Sequence, residues 1–549
     1  MINEWVSEKA AKGIKLQEMI QRLSVETPYG KTMRKQLKVF QMGEEDELKK
    51  HFDHLESLIK ELDINKDAQW IMRRQLKEFK DIRGSAARIR REEVLNEVEI
   101  FEIKRQVKTM EVLRKYLEEN TLLYLPIFYL RSLKDLWELL DPEKSGLDTF
   151  YLYACYSKRL KEIRDEKQRL EEQIRQENRK RNVQVHETTG IKLSSNGEIF
   201  IAKGEEDKIQ RASLCPLLIL SSESFRSISF KVKPSNEVKE YIEALERMKV
   251  QEEEEEFLVR QELTSGIGKH IEALDNNIQS IGTLDLMLAK ARLAWEVNGV
   301  RPHIVETPSI RFKKGRYIPV EENVKRRGES YTPIDIDIAS GVTVITGANM
   351  GGKTVALKTV TLLVAMTQLG LYIPAEEATL SLVPFLYFST GDEQSEEEGL
   401  STFGGEIYHL QQVLERAQEG GLILMDELAR GTNPIEGYGI SKGVIDYLKK
   451  LPTITVVTTH FDGLGDIEGI KHLQVVGLKN VTIEDLKEEL QQTDQHRAIL
   501  EKYMDYRLEE VQKNVDVPKD ALFIAKVMGL REDIIEGARE AIMNRIRHG

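Results

Sequence analysis

Residues 341–354 read GVTVITGANMGGKT, and this stretch decides the fold of the carboxy-terminal part of the chain. Residues 341–346 are an apolar, β-branched run of the kind found in buried parallel strands, and residues 355–369 have the composition of a buried helix. The loop between them matches the pattern GxxxxGK[ST]. Backbone N–H groups of such a loop cradle phosphates at a helix N-terminus. We therefore expect a nucleotide-binding P-loop in an α/β domain.

The loop also supplies side chains for the nucleotide. Lys353 can reach the β- and γ-phosphates, and the Thr354 hydroxyl can bind Mg²⁺. The other nucleotide-binding residues predicted in the loop are Gly347, Asn349, Gly351 and Gly352.

A second apolar run ends in two carboxylates. Residues 421–425 (GLILM) predict a buried strand, and Asp426 and Glu427 follow it. Asp426 at a strand end can hold Mg²⁺, usually through water, and Glu427 can act as general base toward a water molecule. An apolar run followed by two acids is a weak pattern by itself, and the P-loop upstream strengthens it.

Two further segments are candidates of lower specificity. The strand predicted at 453–459 (TITVVTT) runs into His460, which either contacts the γ-phosphate or attacking water, or has a structural role at the strand end. The segment 399–406 (GLSTFGGE) precedes a helix. Ser401 or Thr402 either caps that helix or belongs to a second phosphate-binding helix N-terminus that reads a partner's nucleotide.

Composition restricts the class of protein. The 549-residue chain has a formal net charge of −12, so its global field does not favour nucleic acid. Its two cysteines form no CxxC motif, which argues against a disulfide framework or a zinc site. The first residues contain no apolar signal-peptide core, and no apolar stretch reaches the length of a membrane span. We expect a cytoplasmic protein without a membrane partner.

The pattern of helix and strand signals predicts a multidomain chain. A mostly α-helical core and a lever arm with a small β-rich clamp insertion precede a carboxy-terminal α/β P-loop ATPase domain. The predicted segments are a helical core at 1–157, lever helices at 158–300 with the insertion at about 183–233, the P-loop domain at 301–480 and a helical region at 481–549.

The predicted lever contains segments of contrasting charge and pattern. Residues 158–181 form a helix with ten basic and six acidic residues, which is read most simply as a solvated coiled-coil arm. The segments VQVH (183–186), EIFIAKG (198–204) and ISFKVKP (228–234) predict strands, and Asn196-Gly197 indicates a hairpin turn. Helix is expected again at 236–296, where the glutamates 252–256 are interpreted as a solvated face.

At these motifs the sequence resembles the MutS family of ABC-type ATPases. The loop TGANMGGKT is similar to the family's TGPNMGGK[ST], with Ala348 in place of proline, and residues 425–437 (MDELARGTNPIEG) are similar to its Walker B and D-loop stretch. GLSTF resembles the signature region and Thr458-Thr459-His460 the switch histidine. The segments 281–294, 332–338 and 521–542 also resemble family sequence, closest to the branch that carries an Smr tail.

The resemblance implies an ATPase that uses ATP and Mg²⁺ and works as a head-to-tail dimer with itself or a related chain. Tyr331 falls where the family stacks a ring on adenine, Ser401 would contact the partner's nucleotide, and Arg430 and Thr432 would lie at the dimer interface. Closure of the heads would move the lever arms. We expect neither the mismatch-reading amino-terminal domain nor the Smr nuclease tail, and we find no Phe-x-Glu wedge.

Two hypotheses remain open about the client, the molecule on which the ATPase acts. In the first hypothesis the insertion and the basic helix grip DNA through phosphates, with Lys180 and Arg181 as contacts. In the second the chain remodels a client enzyme, in the manner of reactivating factors for B12-dependent lysine aminomutases. A third hypothesis, a non-hydrolysing structural relic, is disfavoured because Lys353, Thr354, Asp426, Glu427 and His460 are all present.

Overall fold

The computed structural model describes residues 2–120, 126–144, 152–194, 197–347, 352–389, 402–477, 504–511, 521–527 and 529–548. The chain divides into two compact units. The first comprises Met1–Glu78, Leu117–Tyr129 and Gln279–Gly549, and the second comprises Phe79–Tyr116 and Leu130–Ile278. The expected mixture of helices with several sheets is confirmed. The predicted segment boundaries near residues 157, 300 and 480 stay predictions.

Helices and strands are numbered here in chain order within the described residues. The helices are α1 Ile2–Trp5, α2 Glu8–Gly13, α3 Leu16–Gln21, α4 Pro28–Lys35, α5 Glu45–Ile64, α6 Lys66–Leu76, α7 Arg83–Arg90, α8 Glu97–Glu119, α9 Lys134–Leu140, α10 Lys158–Thr189, α11 Glu206–Leu214, α12 Asn236–Gly268, α13 Ile271–Glu296, α14 Ile318–Arg326, α15 Lys353–Gln368, α16 Thr402–Arg416, α17 Pro434–Leu448, α18 Ala521–Val527 and α19 Glu532–His548. The strands are β1 Glu198–Ala202, β2 Leu218–Glu223, β3 Ser227–Val232, β4 His303–Val305, β5 Ser309–Gly315, β6 Ile334–Ala339, β7 Gly341–Thr346, β8 Glu377–Ser381, β9 Leu386–Ser389, β10 Leu422–Asp426, β11 Ile454–Thr458, β12 Lys471–Gly477 and β13 Asp505–Glu510.

The first unit is built on a six-stranded sheet with the order β13-β12-β7-β11-β10-β9. All neighbours in this sheet are parallel except β12 and β13, which are antiparallel. A second sheet has the order β4-β8-β5-β6. The three strands predicted from apolar runs are β7, β10 and β11, and they are adjacent in the first sheet.

Helix α15 lies in the core of the first unit. Almost all of its side chains are buried, including those of Thr359, Thr361 and Thr367. Each of these three hydroxyls donates to the carbonyl four residues earlier, at 2.7 to 2.9 Å, so no buried hydroxyl is left unsatisfied there. A helix that is apolar on nearly every face is stable only when it is surrounded by protein, which explains why α15 lies inside this core.

In the second unit, α10 and α12 form an antiparallel pair. Arg164 of α10 is 2.9 Å from Glu252 and 2.8 Å from Glu256, and Lys167 also pairs with Glu252. Ser157, the N-cap residue of α10, donates to Glu255 at 2.6 Å. The interpretation of the glutamates 252–256 as a solvated face is therefore wrong for three of them. Because residues three or four positions apart lie on one face of a helix, these three glutamates of α12 face the basic helix α10.

One strand prediction in this unit is wrong. VQVH at 183–186 lies near the end of helix α10, which ends at Thr189 and is followed by Gly190 at φ +68°. Four alternating residues also fit a helical face, and Val185 is buried in the small core formed with β1 and β3. The hairpin turn predicted at Asn196-Gly197 includes Asn196, which lies outside the described residues; the strand that follows, β1, pairs with β3.

The expected helix at 236–296 is two helices, α12 and α13, separated at residues 269–270. Within the described residues, none of the helices combines the length and the apolar character that a membrane crossing requires.

A buried lysine lies at the carboxy-terminal end of α15. Lys290 of α13 donates from Nζ to the carbonyl of Leu369 at 2.9 Å and lies 3.0 Å from Nε2 of His51. Burial lowers the pKa of Lys290 to about 7. Burial, reinforced by the Lys290 charge, also lowers the pKa of His51, so the imidazole is neutral. The position suits a cation, since the last carbonyls of a helix carry partial negative charge.

We predict that Lys290 makes folding stability depend on pH above neutrality. Between about pH 7 and 10.5 the unfolded chain binds the proton that the native chain has lost, so the free energy of unfolding rises with pH in that window. The slope is at most about 1.4 kcal/mol per pH unit. Urea denaturation at pH 7 and pH 9 should show this gain in the wild type and a flatter profile in Lys290→Met. Lys66→Met, at an exposed position, is the control; equal profiles in all three proteins would contradict the assignment.

Candidate functional site

The carboxyl ends of three parallel strands meet at one edge of the six-stranded sheet. Ile345 of β7 pairs with Thr458 of β11, and Thr458 pairs with Asp426 of β10. Because side chains at the ends of parallel strands emerge at the same edge, the P-loop, the two carboxylates and the threonine–histidine segment converge there. The sequence motifs are thus brought to one place by strand register.

The ends of the P-loop are described, and its centre is not. Gly347 and Gly352 have φ of +131° and +80°, a region that favours glycine. Lys353 is buried, and its Nζ donates to the Gly347 carbonyl at 2.6 Å. Burial lowers the pKa of Lys353, and the charges of Glu427 and Asp426 oppose that shift. The predicted phosphate ligands Asn349 and Gly351 lie outside the described residues.

Asp426 is held by two hydroxyl groups. Thr354 donates from Oγ1 to Oδ2 of Asp426 at 2.6 Å, and Thr458 donates to the other carboxylate oxygen. A hydroxyl and a carboxylate are the hard oxygen ligands that Mg²⁺ takes in P-loop sites, so the donor set fits this ion. The structure thus brings together the two residues predicted to bind metal.

Glu427 occupies a constrained turn after β10. Its φ is +53°, and its N–H donates to both the carbonyl and the hydroxyl of Thr458, at 3.2 and 3.0 Å. Its Oε2 is 2.9 Å from Nη1 of Arg430. The backbone of the predicted base is therefore fixed at the strand edge, and its carboxylate is engaged in an ion pair.

The structure gives less information about the other residues predicted for the nucleotide site. His460 is exposed after β11, and its ring centroid is 4.5 Å from that of Phe461. Tyr331 is half-buried; its hydroxyl accepts the Tyr317 N–H at 2.9 Å. Burial raises the pKa of Tyr331, and hydrogen bonds, including one with Thr359 of α15, oppose that shift. Ser401 lies outside the described residues.

Sequence reasoning missed two residues beside the P-loop. A Cβ at Gly352 would lie 2.9 Å from the ring of Tyr506, so this ring on β13 lies against the end of the loop. His472 of β12 shares a hydrogen bond of 2.8 Å with the hydroxyl of Thr346, the last residue of β7. Burial lowers the pKa of His472, which keeps the ring neutral. Neither residue belongs to a local motif, and strand pairing alone brings them here.

The DNA contacts predicted on α10 differ from each other. Lys180 is 68% exposed and pairs with Glu177 at 2.5 Å. Arg181 is only partly exposed, and its Nε is buried without a hydrogen-bond partner among the described residues. Of the two, Lys180 is therefore the more exposed side chain.

Comparison with known proteins agrees with these motifs. Residues 343–545 match the family model described as MutS domain V. The chain is similar to Endonuclease MutS2 of Halothermothrix orenii, with 34% identity over 327 residues that cover 59% of this chain and 38% of that protein. It is similar to Endonuclease MutS2 of Acetivibrio thermocellus, with 35% identity over 301 residues that cover 54% of this chain and 35% of that protein. The chain thus spans little more than a third of the length of these curated relatives.

We predict that Thr458 is essential to the geometry of this edge. Thr458→Val removes the hydroxyl that donates to Asp426 and accepts from Glu427, and it leaves a buried carboxylate short of a donor. The free energy of unfolding should fall by about 1–3 kcal/mol. Chemical denaturation would measure this. Thr455→Val is the control, because its buried hydroxyl on the same strand shares a hydrogen bond of 3.0 Å with the uncharged hydroxyl of Thr453. An equal loss in both variants would contradict the prediction.

Proposed function

We propose that the chain is a MutS-family ATPase that binds ATP with Mg²⁺ at the P-loop edge of the six-stranded sheet and hydrolyses it. The observation that carries the proposal is the hydrogen bond of 2.6 Å between Thr354 and Asp426. It joins the first residues of α15 to the end of β10, and these two side chains would hold the Mg²⁺ that accompanies the phosphates of ATP.

The roles of the residues follow from their chemistry. Lys353, now bound to the loop's own carbonyl, would exchange that contact for the β- and γ-phosphates. Bound Mg²⁺ would offset phosphate charge through Thr354 and Asp426. Glu427 would accept the proton of the attacking water. His460, exposed at the next strand end, would contact the γ-phosphate or that water.

The base of the nucleotide needs an aromatic neighbour. We propose Tyr331 for this stacking role, as the family resemblance implies. Tyr506 is a second ring against the loop, beside Gly352, and would lie near the nucleoside. The proposal includes a dimer, in which Ser401 of one chain contacts the nucleotide of its partner.

We further propose that the client is DNA, used in repair or recombination. The relatives are named as endonucleases, a class that acts on nucleic acid. The names give no support to the alternative of an enzyme-remodelling factor. In the arm formed by α10 and α12, Glu252 forms ion pairs that neutralise part of the positive charge of α10. Lys180 of the same helix remains exposed. This distribution leaves basic side chains for phosphate contacts away from the Glu252 cluster.

Two substitutions test the ATPase. Lys353→Ala removes the phosphate-binding ammonium and should abolish detectable binding of ATP with Mg²⁺. Glu427→Gln should bind ATP with affinity near that of the wild type and turn it over about 10²- to 10³-fold more slowly, because only proton transfer is lost. Calorimetry and phosphate release measure the two quantities. Glu468→Gln, at an exposed position of the same unit, is the matched control. Wild-type turnover in Glu427→Gln would refute its role as base.

A salt titration tests the DNA client. Binding of labelled duplex or branched DNA should weaken steeply as salt rises, and Lys180→Gln should reduce the slope of log K against log salt by about one. Lys249→Gln is the matched control, because Lys249 is likewise exposed and paired with a glutamate three residues away. If no DNA is bound at low salt, the client is not DNA, while the ATPase proposal is judged separately.

A further inference from the structure

The loop at residues 427–433, between β10 and α17, is held in an unusual backbone conformation. Glu427 and Ala429 have φ of +53° and +60°, in the left-handed region that side chains with a Cβ rarely adopt. Such residues persist only where surrounding contacts determine them. Two contacts among the described residues hold this loop near Glu427.

The first contact joins two side chains of the loop itself. Oε2 of Glu427 is 2.9 Å from Nη1 of Arg430, and the two side chains are 12% and 53% exposed. A general base must offer a free lone pair to the water that it activates. While the guanidinium occupies this carboxylate, Glu427 cannot serve that function fully. Arg430 is always protonated and is the more exposed of the two side chains, so it is the one that can move away and break the ion pair.

The second contact joins the loop to helix α16. Oε1 of Glu406 accepts the N–H of Ala429 at 3.0 Å, and the carboxylate is only partly exposed. Burial raises the pKa of Glu406, and this hydrogen bond opposes the shift. A Cβ at Gly431 would lie 3.3 Å from Cβ of Phe403, so the first turn of α16 also packs on the loop. A displacement of α16 is thus transmitted to the loop that carries Arg430.

We propose that the Glu427–Arg430 ion pair is a latch that keeps the general base inactive in the resting chain, and that Glu406 is the positioning residue that couples release of the latch to movement of α16. The inference rests on the proposed ATPase function. Ser401, the residue predicted to contact the partner's nucleotide, immediately precedes α16 in the sequence. Engagement of α16 would pull Ala429, move Arg430 away and leave the Glu427 carboxylate facing water.

The coupling is tested at Glu406. Glu406→Ala removes the acceptor, and Glu406→Gln keeps one in place. In Glu406→Ala, turnover at protein concentrations that favour pairing should fall about three- to tenfold, whereas turnover of dilute protein and the KM for ATP stay within twofold of the wild type. Glu406→Gln should restore wild-type behaviour. Glu415→Ala, an exposed carboxylate on the same helix, is the matched control.

A second readout is independent of turnover. Without nucleotide, hydrogen exchange at the Ala429 amide should be slow in the wild type and in Glu406→Gln, and fast in Glu406→Ala. Equal exchange in all three would overturn the coupling, as would an equal loss of turnover in Glu406→Ala and Glu406→Gln.

The latch is tested at Arg430. Arg430→Gln should raise the turnover of dilute protein about two- to fivefold, the range expected for loss of a partly exposed ion pair. A fall to the level of Glu427→Gln would overturn the latch, because Arg430 would then be needed for the reaction itself. If the wild type turns over ATP and both Glu406→Ala and Arg430→Gln match it, only the latch fails. If the wild type turns over no ATP, the proposed function fails with it.

Discussion

The hydrogen bonds that converge on Asp426 tie the site to the fold. Thr354, at the start of the buried helix α15, donates to one carboxylate oxygen, and Thr458, at the end of β11, donates to the other. Hydrogen bonds to an ionised acceptor contribute roughly 1.5–3 kcal/mol each. That is enough to hold the end of a helix and the ends of two strands in register. The geometry of the two proposed metal ligands, Thr354 and Asp426, therefore follows from the fold.

The same edge of the sheet fixes the backbone of Glu427, while its carboxylate is held in an ion pair. Thr458 fixes its backbone through two hydrogen bonds, and the left-handed turn directs its side chain to Arg430. Under the proposed mechanism, a base with a fixed backbone and a paired carboxylate can be switched by moving one exposed side chain, that of Arg430. The contact of Glu406 with Ala429 gives helix α16 a direct connection to the loop that carries Arg430. The position of Glu427 and its ion pair thus come from the same few contacts.

The charged side chains of α10 and α12 in the second unit are also arranged in ion pairs. The chain is acidic, with a formal net charge of −12, and the basic helix α10 meets the glutamates of α12 in antiparallel register. Partly buried ion pairs of this kind specify which helix faces which, even where each pair adds little stability. They neutralise positive charge near Glu252, whereas Lys180, farther along α10, keeps 68% of its side chain exposed.

Local motifs predict the P-loop and the two carboxylates, and they correctly predict the flanking strand and helix, because each is a short pattern whose chemistry resides in adjacent residues. The tertiary structure sets the pairing of Glu427 with Arg430, since a motif names its residues but not their rotamers. It also decided the contacts between residues distant in the chain, such as Glu406 with Ala429 and Thr346 with His472, which lie 23 and 126 positions apart. It placed VQVH in a helix, because four alternating residues fit either a strand or a helix face until a core selects one. The reason is the same in each case: local pattern specifies conformation and chemistry, whereas pairing across the chain is set by which surfaces pack together.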